Sequence, residues 1–132
     1  MKLLADTSAL LAMILRNDQH HRAAARFVRA HRGVRYLLTD LILGEVAMRL
    51  RARAGAERAV AFCRDVLGST RYQVLFVDAE LLDGALAQMQ RLADKDLSLT
   101  DCASFEIMQR LGVSTAFSFD RDFRDCGFEM VP

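Results

Sequence analysis

Acidic residues at four points of this chain have the types and spacing to do chemistry: Asp6, Glu45, Asp101 and Asp120. Asp6 directly follows the apolar run Lys2–Ala5, and Asp120 directly follows Ala116–Phe119. Both runs read as buried strands. Glu45 falls in the first turns of the helix after the second predicted strand, and Asp101 in the first turn of the helix before the fourth. In open parallel sheets, ligands bind beyond the carboxyl ends of the strands. Asp6, Glu45 and Asp120 therefore share one sheet edge, and Asp101 joins them if its helix begins there. Carboxylates gathered in this way repel. At about 6 Å and an effective dielectric of about 20, each pair costs roughly 3 kcal/mol. Such a cluster persists only if cations or protons neutralise it. Oxygen ligands with no His or Cys among them select Mg²⁺ or Mn²⁺ over zinc. Those ions suit phosphate-ester hydrolysis, because they stabilise phosphoryl charge and generate hydroxide from water.

Each acid also has a purely structural use. Asp6 can cap a helix, and Glu45 can pair with Arg49 at i,i+4. Asp101 can close a capping box with Ser98, and Asp120 can cap the turn that follows it. Glu106 with Arg110 is a further i,i+4 pair, read as structural. The structural uses leave unexplained why the four cases recur at one end of the sheet.

The elements that must position these acids alternate between strand and helix. After Lys2–Ala5 a helix is expected from Ser8 to about Leu15. Asp18 is expected to cap a second helix over about Gln19–His31, with Ala24, Phe27 and Val28 inward. Tyr36–Leu38 reads as the second strand. Thr39 or Asp40 caps a third helix with Leu41, Ile42, Val46 and Leu50 at helical spacing. Gly55 breaks it, and a fourth helix runs to about Leu67. Tyr72–Val77 is rich in β-formers. A fifth helix over 79–93 carries Leu82, Ala85, Leu86, Met89 and Leu92 on one face. A sixth starts at Ser98 or Thr100 and ends at Gly112. Ala116–Phe119 is the fourth strand, Asp120–Asp125 a turn or short helix, and Phe128–Val131 the last strand. Such alternation with short connections calls for an α/β fold around a mostly parallel sheet.

Composition supports this reading. The chain has 132 residues, 52% hydrophobic and 27% charged, with one proline. That excludes a disordered or collagen-like chain and suits one domain spanning 1–132. No apolar run reaches the ~18 residues of a membrane span. The start does not read as a signal peptide. The cysteines, Cys63, Cys102 and Cys126, are odd in number and share no metal-ligand spacing, so reduced thiols in a cytoplasm are expected. Net charge is +1 but unevenly spread. Residues 16–71 carry twelve arginines against five acids, and residues 72–132 carry five basic residues against eleven acids. Guanidinium groups suit bidentate phosphate contacts, so a basic surface for nucleic acid is one reading and a set of solvated helix faces the other. His20, His21 and His31 read as solvated or phosphate-facing rather than ligating. Cys102 has no His placed to activate it and reads as packing.

Four stretches together resemble a known family. Leu3-Leu4-Ala5-Asp6-Thr7-Ser8 is similar to the first motif of PIN-domain ribonucleases. Glu45 within Thr39–Val46 matches the second acid, and Asp101 in Ser98-Leu99-Thr100-Asp101 the third. Phe117-Ser118-Phe119-Asp120 matches the fourth. The similarity covers essentially the whole chain and looks most like the VapC-type toxins of toxin–antitoxin pairs. The resemblance implies a central parallel sheet of five strands in order 3-2-1-4-5, a homodimer, and Mg²⁺- or Mn²⁺-dependent cleavage of RNA. It also implies inhibition by a cognate antitoxin protein. Carried over, Asp6, Glu45, Asp101 and Asp120 would hold the metal and its attacking water, with Asp6 and Asp101 on the principal ion. Ser8 and Ser118 would be supporting hydroxyls. Asp122 stands where the family often has a His or basic residue, and reads as a fifth ligand or a solvated neighbour.

Other classes fit less well. A haloacid-dehalogenase phosphatase needs a second Asp two residues after the first, where Ser8 stands. A response-regulator receiver needs an adjacent acid pair and a late lysine, both absent. A PIN nuclease of RNA processing, or a PIN-like module that binds RNA or an antitoxin without cutting, remains as the alternative.

Overall fold

The structure is a computed structural model describing residues 1–132. Five strands form one sheet in which each neighbouring pair is parallel, in the order β3-β2-β1-β4-β5. In chain order the elements are β1 (Lys2–Ala5), α1 (Thr7–Ile14), α2 (His21–Ala30), β2 (Arg35–Thr39), α3 (Asp40–Ala54) and α4 (Ala56–Gly68). There follow β3 (Tyr72–Leu75), α5 (Ala79–Arg91), α6 (Leu99–Leu111), β4 (Thr115–Phe117), α7 (Asp122–Asp125) and β5 (Glu129–Val131). This is the expected α/β architecture and strand order.

Burial explains why short segments suffice as strands. Leu3, Leu4 and Ala5 in central β1 are buried, as are Tyr36, Leu37 and Leu38 in β2 and Ala116 and Phe117 in β4. Continuous apolar runs of this kind mark strands covered by helices on both faces. Phe117 anchors the core, with Phe27 at 5.3 Å and Tyr36 at 5.5 Å between ring centroids. Ala24, Phe27, Ile42, Val46 and Leu50 point inward, as their spacing predicts.

Some local expectations are corrected. Helix α2 begins at His21, not Gln19. The Asp18 carboxylate accepts from the His20 N–H at 2.8 Å and its carbonyl from the His21 N–H, so Asp18 shapes the approach turn rather than capping the helix. Strand β3 ends at Leu75, and the Val77 N–H is bound instead by the Asp40 carboxylate at 2.8 Å. Strand β4 is Thr115–Phe117, so it stops two residues short of Phe119. On α5 the buried residues are Leu81, Ala85 and Gln88, whereas Leu82 and Leu86 are exposed. The histidines are tied down rather than freely solvated. His21 Nδ1 lies 2.7 Å from the Ala12 carbonyl, His31 Nδ1 lies 2.9 Å from the Phe27 carbonyl, and His20 stacks on Phe119 at 4.3 Å.

Candidate active site

Strand ends and helix starts converge on one cleft at the carboxyl edge of the sheet. Its wall comprises Asp6, Thr7 and Ser8 from the β1–α1 junction, Glu45 and Arg49 from α3, Asp96 to Ser98 before α6, Asp101, Asp120 and Asp122. The cavity holds about 410 Å³. The four acids singled out by spacing all line it, and Asp122 lines it with them.

Asp6 is the most buried of them, at 5% exposure. It occupies the position before α1, but its side chain does not cap the helix. Instead Ser8 Oγ donates to Asp6 Oδ2 at 2.9 Å and Ser118 Oγ donates to the same oxygen at 3.0 Å. The hydroxyls then accept in turn, Ser8 from the Phe119 N–H and Ser118 from the Asp120 N–H, each at 3.0 Å. Asp6, Ser8 and Ser118 therefore tie the end of β1 to the segment that carries Asp120. Burial pushes the Asp6 carboxyl up from 3.8 to about 6, against the two hydroxyl hydrogen bonds and with the help of the Asp101 charge.

Asp101, Asp120 and Asp122 form the tightest group, with one carboxylate oxygen of each within 4.8 Å of the others. Asp101 and Ser98 close the expected capping box. The Asp101 N–H donates to Ser98 Oγ and the Ser98 N–H to Asp101 Oδ2, both at 3.1 Å. Asp120 Oδ1 accepts from the Asp122 N–H at 3.0 Å, the expected turn cap. Burial raises the pKa of Asp101 against its Ser98 hydrogen bonds, and the charges of Asp120 and Glu45 raise it further. Asp122 is raised by burial and then by Asp120 and Asp101. Glu45 makes no ion pair with Arg49; its Oε2 accepts from Thr7 Oγ1 at 3.2 Å. Asp6 and Glu45 thus line the same cleft without belonging to its closest cluster.

All the acidic side chains offer hard oxygens, no His or Cys lines the cleft, and burial, aided by the neighbouring negative charges, raises several of the pKa values. That donor set fits a divalent cation of the Mg²⁺ or Mn²⁺ type. Sequence reasoning did not single out Thr7, Asp96 or Leu97 as cleft residues. Thr7 was visible only as a neighbour of Asp6, and Asp96 only as part of the charged stretch before α6.

A family model described as PIN domain matches residues 3–129. The chain belongs to the PIN-domain family. As a PIN domain it is 32% identical, over 129 residues, to the 23S rRNA-specific endonuclease VapC20 of Mycobacterium tuberculosis, covering 98% of this chain and 97% of that one. The crystal structure of that VapC20, described as a Sarcin-Ricin loop cleaving toxin, superposes with a TM-score of 0.89 at 30% identity, covering 98% of this chain and 99% of the other. Two further solved structures that superpose on the chain are VapBC2 from Rickettsia felis, bound to a DNA fragment from its promoter, and FitAcB from Neisseria gonorrhoeae. Their TM-scores are 0.67 and 0.66 at 12% and 10% identity, covering 98% and 100% of this chain and 97% of each of those. They share the fold.

Proposed function

We propose that this PIN domain, taking the whole chain as one domain, is a metal-dependent endoribonuclease and the toxin of a VapBC-type pair. The observation that carries the reading is the triad of Asp101, Asp120 and Asp122 within 4.8 Å, sharing one oxygen-lined cleft with a buried Asp6. The near full-length similarity to VapC20, named a 23S rRNA-specific endonuclease, supports it and makes 23S rRNA the first substrate to test.

Asp101, Asp120 and Asp122 would hold the cation, with Asp6 and Glu45 completing its surroundings. Mg²⁺ is the first choice and Mn²⁺ the second. A bound ion of this type supplies charge neutralisation at the scissile phosphate and a more acidic water. Ser8 and Ser118 hold Asp6 in place and prevent its carboxylate from turning. Thr7 does the same for Glu45. Arg49, exposed at the cleft rim, offers a guanidinium to the phosphate of the incoming strand. As partners we propose RNA, a cognate antitoxin protein and a second copy of the chain. The proteins would cover the exposed apolar side chains Met48, Val60, Leu67, Leu82 and Leu86. No helix is long and apolar enough to cross a membrane, and the cytoplasm, where the RNA lies, is the proposed location.

The test is cleavage of 23S rRNA and of a mixed RNA pool with Mg²⁺, with Mn²⁺ and with EDTA. Cleavage should require the metal and should be lost in Asp101→Asn with the fold intact by circular dichroism. Metal-independent cleavage, or full activity in Asp101→Asn, would refute the reading.

A further inference from the structure

A groove of about 800 Å³ lies away from the acids. It runs between the end of α1 and the α3–α4 junction. Arg16, Arg53 and Arg58 line it over a floor that includes Ile14, Leu15 and Ala54. None of these arginines is in an ion pair; the ion pairs of the molecule are both made by Arg110. Neither Asp18, which accepts from the His20 N–H, nor the exposed Glu57 forms an ion pair with them, so three guanidinium groups stand beside two unpaired carboxylates. Three unpaired guanidinium groups around a polar-rimmed groove form a site for multiple anionic groups.

Helix α3 connects this groove to the acidic cleft. Glu45 and Arg49 line the cleft, and Arg53 lines the groove. The residues are four apart, so they form one stripe along the helix. At about 1.5 Å of rise per residue, the stripe advances about 12 Å from Glu45 to Arg53. Along it the charge changes from negative at the cation site to positive at Arg49 and Arg53.

We propose that Arg16, Arg53 and Arg58 form a phosphate-binding subsite for the RNA strand, holding its backbone a few nucleotides from the bond to be cut. This rests on the nuclease reading of the cleft and specifies how the same substrate is held. The subsite touches backbone phosphate, so it contributes affinity and register rather than base sequence. An acidic protein segment is the competing occupant. The shared helix face leading into the cation site favours the strand that must pass through that site.

The experiment uses the full chain and fluorescein-labelled single-stranded RNA, with Ca²⁺ in place of Mg²⁺, and measures anisotropy over a salt series. The double variant R53Q/R58Q should bind on the order of tenfold more weakly. Its log–log salt slope should fall by about 1.4, because two phosphates of a single strand are no longer neutralised. The same variant should show a raised KM for RNA cleavage. R91Q/R124Q removes the same charge from the acidic half of the chain and should change binding less than about twofold on the same logic. Unchanged affinity and slope in R53Q/R58Q would overturn the proposal. So would equal weakening in R91Q/R124Q, which would show a loss of net charge alone. Loss of poly-glutamate binding with RNA binding intact would assign the groove to an acidic protein. Absence of metal-dependent cleavage by the wild type would instead count against the nuclease reading, so the two failures are distinguishable.

Discussion

Replacing Asp6 with asparagine should stabilise the metal-free protein. Burial raises the Asp6 carboxyl from 3.8 to about 6, so the folded state holds that proton more tightly than the unfolded chain does. Below about pH 4 the group is protonated in both states and contributes no penalty. As pH rises through the window from about 4 to about 6, the unfolded chain ionises first and the folded state is progressively disfavoured. Above that window the full penalty applies. At 1.36 kcal/mol per pH unit, the gap from 3.8 to about 6 amounts to about 3 kcal/mol. The asparagine side chain carries no charge and keeps an oxygen to accept from Ser8 and Ser118, although a neutral acceptor is weaker than a carboxylate. A net gain of about 2 kcal/mol is therefore expected near neutral pH, shrinking towards zero near pH 4. Urea unfolding of both proteins in EDTA at about pH 7.5 and about pH 4.5 measures the difference directly. The pH dependence of the difference reports Asp6 together with its coupling to Asp101, since the carboxylates that do not interact with Asp6 titrate alike in both proteins. A difference that is the same at both pH values, or an Asp6→Asn variant less stable at the higher one, would refute the assignment of Asp6 as a charge held at the expense of folding.

Other outcomes follow from the same geometry. Added Mg²⁺ should stabilise the wild type by about 2.7 kcal/mol at a hundredfold excess over its Kd. That gain should be smaller near pH 5, because protons compete with the ion at Asp6, Asp101 and Asp122, whose pKa values are all raised; thermal melts at the two pH values check it. Asp122→Asn should weaken Mg²⁺ by on the order of tenfold or more, read by calorimetry, whereas an unchanged affinity would make Asp122 a bystander. Ser118→Ala removes a donor to Asp6 and the acceptor of the Asp120 N–H, so it should cost about 1–3 kcal/mol in chemical denaturation. It should also move the Asp6 titration upward, because one of the hydrogen bonds that oppose burial is lost.

Much of this was legible in the sequence because strand cores and strand ends announce themselves. Leu3-Leu4-Ala5 and Ala116-Phe117 are buried apolar runs that stop at polar residues, and the polar residues are the site. The misread places share a physical cause, which is competition for the same backbone or helix face. Asp18 has the right chemistry for a cap, but its carboxylate is spent on the His20 N–H one turn early. On α5 the apolar pattern pointed to Leu82 and Leu86. The true inner face includes Gln88, whose amide is satisfied by Glu106 at 3.0 Å and Gln109 at 2.7 Å on α6. A polar side chain that is buried because a neighbouring helix pairs with it cannot be seen in one helix's periodicity. His20 was indistinguishable from a solvated surface histidine until the fold placed Phe119 beneath it.

The acids show why structural and functional readings need not compete. From spacing alone, Asp101 could be either the acid of a capping box or a metal ligand, and Asp120 either a turn cap or a ligand. The structure places each of them where it can serve both tasks. Asp101 uses Oδ2 to accept from the Ser98 N–H, and Asp120 uses Oδ1 to accept from the Asp122 N–H. Glu45 uses Oε2 to accept from Thr7, and both serine hydroxyls meet Asp6 on Oδ2. These bonds help to fix the rotamers, while Asp101, Asp120 and Asp122 still each bring one carboxylate oxygen within reach of a shared cation. The caps reduce the reorganisation that a mobile carboxylate would undergo on binding. They also stabilise the charged forms against mutual repulsion, as the lowering effects of Ser8, Ser118 and Ser98 on the pKa values show. Weakening a cap should therefore damage cation binding as well as folding, and a Ser98→Ala variant tests this: it leaves the Ser98 N–H on Asp101 Oδ2 but removes the hydroxyl that holds the Asp101 N–H and helps to lower the Asp101 pKa. Its Mg²⁺ affinity should fall by about tenfold, as for other residues that orient a ligand. A variant that loses stability but binds Mg²⁺ as tightly as the wild type would show that the capping box serves the helix alone.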